Sequence, residues 1–261
     1  MLFLLSPAKS LDYDTPLPAA AKGLPTTQPV FTRQPKALVE RLRECTPVQV
    51  AELMSLSDKL AALNVARYAA WRPRHTGANS RSAIFAFNGD VYEGFDAQTL
   101  DTRALQWAQD HVAILSGLYG VLRSLDAMQP YRLEMGTALD TSAGHNLYQF
   151  WGRQIADHLN ERLATHDQPI IVNLASQEYF KSVDRKVLQA RVIDCVFEDY
   201  KSGQYKVISF LAKRARGLMA RYAAQHQLKK PAQLEKFALE GYAFDPKVSE
   251  PDRLVFRRKQ T

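Results

Sequence analysis

Two short apolar runs, each halted by a polar turn, limit what this chain can fold into more than any other feature. Leu2-Phe3-Leu4-Leu5 is stopped by Ser6-Pro7, and Ile170-Ile171-Val172, introduced by Pro169, is stopped by Asn173. Both are too short for a buried helix, and the second is β-branched, so they suit strands inside a sheet. Between and beyond them the pattern shifts to helical spacing. Thr46-Pro47-Val48-Gln49 is a helix start, with Thr as cap, Pro in the first helical position and Gln placed to complete a capping box. Ser57-Asp58 restarts a helix through Leu60, Leu63 and Tyr68 that ends before Pro73. Phe150, Ile155, Leu159 and Leu163 put another helix over residues 148–164.

The other segments follow the same alternation. Residues 12–35 hold five prolines and read as an extended surface segment. Ala83 to Phe87 and Val112 to Leu115 are strand candidates, the second also compatible with a helix. Val192 to Phe197 and Tyr205 to Phe210 flank a Lys201-Ser202-Gly203-Gln204 turn, the pattern of an antiparallel hairpin. Helices are expected at about 211–226 and 231–238, and Leu254-Val255-Phe256 is expected on a sheet edge. With no internal repeat and no low-complexity linker, the expectation is an α/β fold. It is a single domain over 1–261 with a mixed β-sheet core and surrounding helices.

Composition narrows the function classes. The 261 residues carry 34 Lys and Arg against 27 Asp and Glu, a formal charge of +7. A cationic surplus favours polyanionic partners such as double-stranded DNA, although a basic enzyme with an anionic substrate has the same balance. Cys45 and Cys195 lie far apart, and the six histidines show no ligand spacing with them or with each other, so neither a disulfide framework nor a metal site is expected. No cofactor motif, Walker loop or nucleophile elbow is present, and no catalytic residue can be named. The N-terminal apolar run is too short for a signal peptide and nothing approaches a membrane span. A cytoplasmic protein with no membrane association and no obligate protein partner is the expectation.

Three segments could carry chemistry. Ser116-Gly117-Leu118-Tyr119-Gly120, followed by Arg123, places two glycines in a tight turn between apolar flanks. That is the logic of a helix-hairpin-helix gripping the DNA backbone, and equally of a glycine-rich packing turn. Residues 211–222 form an amphipathic helix whose apolar face carries Leu211, Ala215, Leu218, Met219 and Tyr222. Lys213, Arg214, Arg216 and Arg221 gather opposite, without an acidic neighbour, as a row of phosphates would require and as a solvated face would also look. A third group suggests a pocket. Lys9 follows the first strand, Asn173, Ser176, Glu178 and Lys181 follow the β-branched one, and Arg132 with Glu134 sits in a loop. In open sheets, ligand sites lie at such strand ends. Ser6 and Lys9 have S-x-x-K spacing, but Pro7 after a strand does not align them as a helix would.

The blocks Leu5-Ser6-Pro7-Ala8-Lys9, Ser57-Asp58-Lys59-Leu60-Ala61 and Phe87-Asn88-Gly89-Asp90-Val91-Tyr92 resemble the YaaA family. So do Leu115 to Leu122, Met128 to Gly136, Leu147 to Gly152, Asn173 to Ser176, Glu178 to Val183 and Ala212-Lys213 through Met219. The resemblance spans essentially the whole chain. It implies a compact α/β fold of unusual topology with a helix-hairpin-helix-like element, assigned here to about 105–130. It also implies DNA binding with little sequence preference and a role in surviving hydrogen peroxide, linked to lower intracellular iron and less iron-driven DNA damage. The rival expectation is an enzyme or binding protein for a small anionic, nucleotide-like molecule, with a cleft around Lys9, Arg132, Glu134, Ser176 and Lys181.

Overall fold

The computed structural model describes residues 1–259 as one α/β domain. Its strands are β1 (Leu2–Leu5), β2 (Ser10–Leu11), β3 (Arg81–Ser82), β4 (Phe87–Asn88), β5 (Val112–Ser116), β6 (Gly120–Arg123), β7 (Ala127–Met128), β8 (Ile170–Asn173), β9 (Arg191–Lys201), β10 (Gln204–Lys206), β11 (Ala243–Phe244) and β12 (Arg253–Arg258). Its helices are α1 (Arg33–Arg43), α2 (Pro47–Met54), α3 (Asp58–Ala70), α4 (Ala83–Ala86), α5 (Asp90–Phe95), α6 (Thr102–His111), α7 (Leu147–Trp151), α8 (Gln154–Leu163), α9 (Gln177–Phe180) and α10 (Ser209–His226).

Eight strands form the main sheet, in the order β11-β12-β9-β8-β1-β5-β6, with β10 paired to the far end of β9. The five inner strands β12, β9, β8, β1 and β5 run parallel, and β6, β10 and β11 are antiparallel additions. Every residue of β1 and β5 is buried, as the continuous apolar runs demanded. The start of β1 is clamped. The Met1 amine lies 2.8 Å from His166 Nδ1, and burial pushes His166 down to about 4, so its ring stays neutral and can accept that hydrogen bond.

Several sequence expectations need correction. Ala83–Ala86 is a buried helical turn, not a strand, since its apolar residues face a core on all sides and no period separates the two forms. Residues 148–164 split into α7 and α8 at Gly152, where φ is 47°. The Leu254-Val255-Phe256 segment is interior, flanked by β9 and by the two-residue edge strand β11. Phe210 belongs to α10, so the 201–204 hairpin is shorter on its second arm. The expected 231–238 helix is a 3-10 segment over Pro231–Lys236.

The helix-hairpin-helix-like element assigned to 105–130 is not two helices. It is α6 followed by the β5–β6 hairpin, with Ser116 opposite Gly120. Its glycines serve packing. A Cβ on Gly117 would lie 2.3 Å from the Leu133 carbonyl oxygen, and Gly120, at φ 69°, lies against the Trp151 ring. Two helices joined by a short turn do occur at α2 and α3. Thr46 and Gln49 form the capping box that opens α2, Ser55 closes α2 in the left-handed region, and three residues later α3 begins.

Helix α10 lies against α5, α6, β9 and β1, and small residues allow this. Gly94 and Gly217 let the backbones of α5 and α10 touch: a Cβ on Gly217 would lie 1.8 Å from the Val91 carbonyl oxygen, and one on Gly94 would lie 2.2 Å from that of Arg214. Gly217→Ala should therefore lower stability by about 1–3 kcal/mol or more, as overpacking does. Urea denaturation measures the loss, and an unchanged midpoint would mean that the two helices separate without cost.

Candidate functional site

The chain leaving β1 leads to β5 on one side of it, while the chain leaving β8 leads to β9 on the opposite side. Adjacent parallel strands whose connections diverge leave a crevice beyond their carboxyl ends. Here that crevice is floored by Ser6 and Ser176. The Ser176 amide donates to Ser6 Oγ at 2.8 Å and the two hydroxyls are 3.3 Å apart, tying the two strand-end loops together. Ser176 also caps α9 through the Tyr179 amide.

A cleft of about 340 Å³ opens above this floor. Its walls come from the Ser6–Ser10 loop, from Asn88–Val91, from Tyr131–Glu134, from α9 and from α10. Glu134 is the electrostatic hub. Arg132 Nη2 and Nε donate to its Oε1 at 2.8 and 3.1 Å, and Lys9 Nζ stands 2.9 Å from Oε2. Burial alone would raise the Glu134 carboxyl, but the hydrogen bonds and charges of Lys9 and Arg132 outweigh it and hold the group below its ordinary range. Glu178 spends one oxygen on the Gly136 amide at 2.9 Å. Arg216 lines the same cleft, half-buried. Burial pushes its guanidinium below the ordinary arginine value, and among the described residues it has no hydrogen-bond or ion-pair partner. Lys213, one turn earlier on α10, is exposed at the rim.

The structure sorts the sequence candidates differently from the helical wheel. Lys9, Arg132, Glu134, Ser176 and Glu178 do converge, and Lys213 and Arg216 join them rather than a separate DNA face. Asn173 and Lys181 lie outside the lining. Asn173 donates to Asp194 and accepts from the Ala175 amide, and Lys181 sits over the Tyr148 ring. Arg214 is held by the Glu240 carboxylate. Arg221 donates to the Phe95 and Asp96 carbonyls at 3.0 and 2.8 Å, covering the end of α5. Ser116, Gly117, Tyr119 and Gly120 are fully buried, so they offer no amides to a duplex. Arg123 is spent on Asp126 at 3.0 Å. Sequence reasoning missed Tyr131 and Tyr179 as walls of the cleft, although both sit within blocks already singled out.

A wider depression of about 800 Å³ lies on another face, bordered by Tyr13, Arg67, His75, Asn79 and Arg81. It has no carboxylate in its lining, and Arg81 is already committed to the Phe85 and Thr15 carbonyls. The smaller cleft, with its opposed charges and its place at the strand ends, is the better candidate. Among the described residues, no three His, Cys, Asp or Glu side chains stand close enough to share a metal ion. Nor is any described helix long and apolar enough to cross a membrane.

Residues 1–248 match the family model described as "Peroxide stress protein YaaA". A protein of Paracidovorax citrulli named "UPF0246 protein" is 69% identical over 259 residues, covering 99% of each chain. One of Polaromonas sp. with the same name is 64% identical over 260 residues, covering 100% of this chain and 99% of its own. A Bordetella petrii relative, again a UPF0246 protein, is 64% identical over 259 residues, with 99% and 100% coverage.

The Glu134 hub makes a pH-dependent prediction. At neutral pH Glu134→Gln should cost about 1–3 kcal/mol, because two cations lose a charged acceptor. A carboxyl lowered by folding contributes stability that is complete above its ordinary value of 4.5 and is lost as pH falls through the lower folded value. The gap between wild type and variant in urea midpoints should therefore close below that pH. A gap that stays constant into acid would exclude the ionised Glu134 as its source.

Proposed function

Because the chain belongs to the YaaA family of peroxide stress proteins, we propose that it serves the peroxide response by binding the phosphate backbone of double-stranded DNA with little sequence preference. Binding of this kind shields DNA from iron-dependent oxidative damage. The iron link rests on the family resemblance, and no residue is assigned to iron.

The observation that carries the DNA reading is a surplus of available cations on a chain of charge +7. Lys213 is exposed and Arg216 carries no carboxylate, and both line the same cleft. The α2–α3 hairpin supports the reading from another direction. Ser57 makes no side-chain cap, so the amides that open α3 are available to a backbone phosphate, with Lys59 exposed beside them to offset the Asp58 carboxylate in the same turn. Interactions of this type hold the backbone and read no bases.

A second reading, that the cleft holds a small anionic molecule, is favoured by one specific observation. Five side chains from three distant segments converge with Lys213 and Arg216 on a volume within the range for single small ligands, about 300–1,000 Å³. A duplex can reach only the rim of such a cleft.

Salt-titrated binding of duplex DNA tests the backbone reading. Lys213→Glu with Arg216→Glu should weaken binding and flatten the slope of log K against log salt by about 2, one for each phosphate that is no longer neutralised. Lys59→Glu should flatten it by about 1. Unchanged affinity in both variants at low salt would end the backbone reading. Arg221→Ala is the contrasting case. It should leave DNA affinity intact yet lower stability by about 1–3 kcal/mol, since two carbonyls at the end of α5 lose their donor.

A further inference from the structure

We propose that the cleft at the ends of β1 and β8 is a nucleotide site, in which Arg216 and Lys213 take a phosphate monoester and Glu134 and Glu178 accept sugar hydroxyls. This rests on the second reading above, that the cleft holds a small anion, and names the ligand class and its orientation.

Arg216 is the starting point. A guanidinium has five N–H donors, and those of the half-buried Arg216 face the open cleft rather than protein acceptors, so they are free for the oxygens of a ligand. Among the described residues no such acceptor is present: Arg216 makes no hydrogen bond or ion pair, and burial alone depresses its guanidinium. The contrast along α10 is informative, because Arg214 and Arg221 are both fully engaged by protein groups. Lys213 stands three residues before Arg216, on the same helical face and within reach of one shared anion. Bidentate Arg with a flanking Lys is the donor set that phosphate geometry matches best.

The remaining charged lining fixes the polarity of the ligand. Glu134 and Glu178 belong to the 131–134 loop and to α9, and Asp90 opens α5. Glu134 is already compensated by Arg132 and Lys9; both Arg132 bonds fall on Oε1, so it is Oε2, beside Lys9, that keeps a lone pair for a ligand. Glu178 keeps one oxygen after its bond to the Gly136 amide. Acceptor-only groups repel a second anionic centre and bind hydroxyls, as a carboxylate does with a ribose in dinucleotide sites. A lining that combines two cations of α10 without carboxylate partners and carboxylate oxygens that can still accept suits one phosphate joined to a sugar, and disfavours a di- or triphosphate chain. A volume of about 340 Å³ agrees with a single nucleotide. Such a group can be a free nucleoside 5′-monophosphate or the phosphorylated end of a nucleic-acid strand. The chemistry recognised is the same.

Calorimetric titration of the full chain tests this with each of the four ribonucleoside 5′-monophosphates, the corresponding nucleosides and inorganic phosphate. At least one monophosphate should bind about tenfold or more tightly than both its nucleoside and inorganic phosphate, and Arg216→Gln should remove about tenfold of that affinity. Arg216→Lys should restore part of it, and the circular dichroism of both variants should match wild type. If Arg216→Gln does not fold, Lys213→Gln carries the same expectation from an exposed position. A short single strand with and without a 5′-phosphate separates the sources. Tighter binding of the phosphorylated strand than of any free monophosphate assigns the site to strand ends, and the reverse assigns it to free nucleotide. If inorganic phosphate binds in an Arg216-dependent way but no monophosphate binds more tightly, the nucleotide inference falls and the small-anion reading stands. If neither phosphate nor any monophosphate binds, both fall.

Discussion

The backbones of α5 and α10 touch at Gly94 and Gly217, with no side chain between them. That close approach sets the depth at which α10 lies in the fold, and the depth sets the environment of every cation on it. At ordinary helix spacing of about 8–10 Å, Arg216 would project toward solvent like Lys213. With the backbones touching, it is half-buried in the cleft wall and makes no ion pair among the described residues. The same approach brings Arg221 within hydrogen-bond reach of the Phe95 and Asp96 carbonyls, so one arginine locks the packing that presents the other to the cleft.

The sheet supplies the other half of the site. β1 is held at both ends: at its start by the Met1 amine and His166, and at its finish by the Ser6–Ser176 link to the loop after β8. With β1 fixed, Lys9 is delivered a few residues beyond the strand to meet Glu134, and Tyr92 donates to the Ser6 carbonyl at 3.0 Å from below. The cleft is thus rigid on its floor and charged on its walls. Its polar groups are arranged before any ligand arrives, which lowers the ordering cost of binding.

Much of the fold was legible because its signals are local. The capping box at Thr46–Gln49, the apolar runs of β1 and β8, and the turn at 201–204 each depend on residues within a few positions of each other, and each stands in the structure as read. The misreadings have one cause. Glycines at 117 and 120 look alike in sequence whether they open toward a phosphate or close against Trp151 and Leu133, and only the packing partner tells the two apart. The wheel of α10 places Ala215, Leu218 and Met219 on a buried face, as they are, but Leu211 and Tyr222 of that face are only partly buried. It assumed one buried face, however, whereas the helix is enclosed by α5, α6, β9 and β1, so part of the cationic face is interior.

The sequence by itself determined the family, the α/β class, the buried strands, and five of the side chains that line the cleft, because strand ends and their polar loops are written contiguously. Tertiary structure alone decided that Lys213 and Arg216 belong with Lys9, Arg132 and Glu134 rather than with Arg214 and Arg221. The reason is physical. Which cation finds a carboxylate, a carbonyl or nothing is settled by residues up to about two hundred positions away, brought near by helix and sheet packing, and no periodicity along the chain encodes that distance.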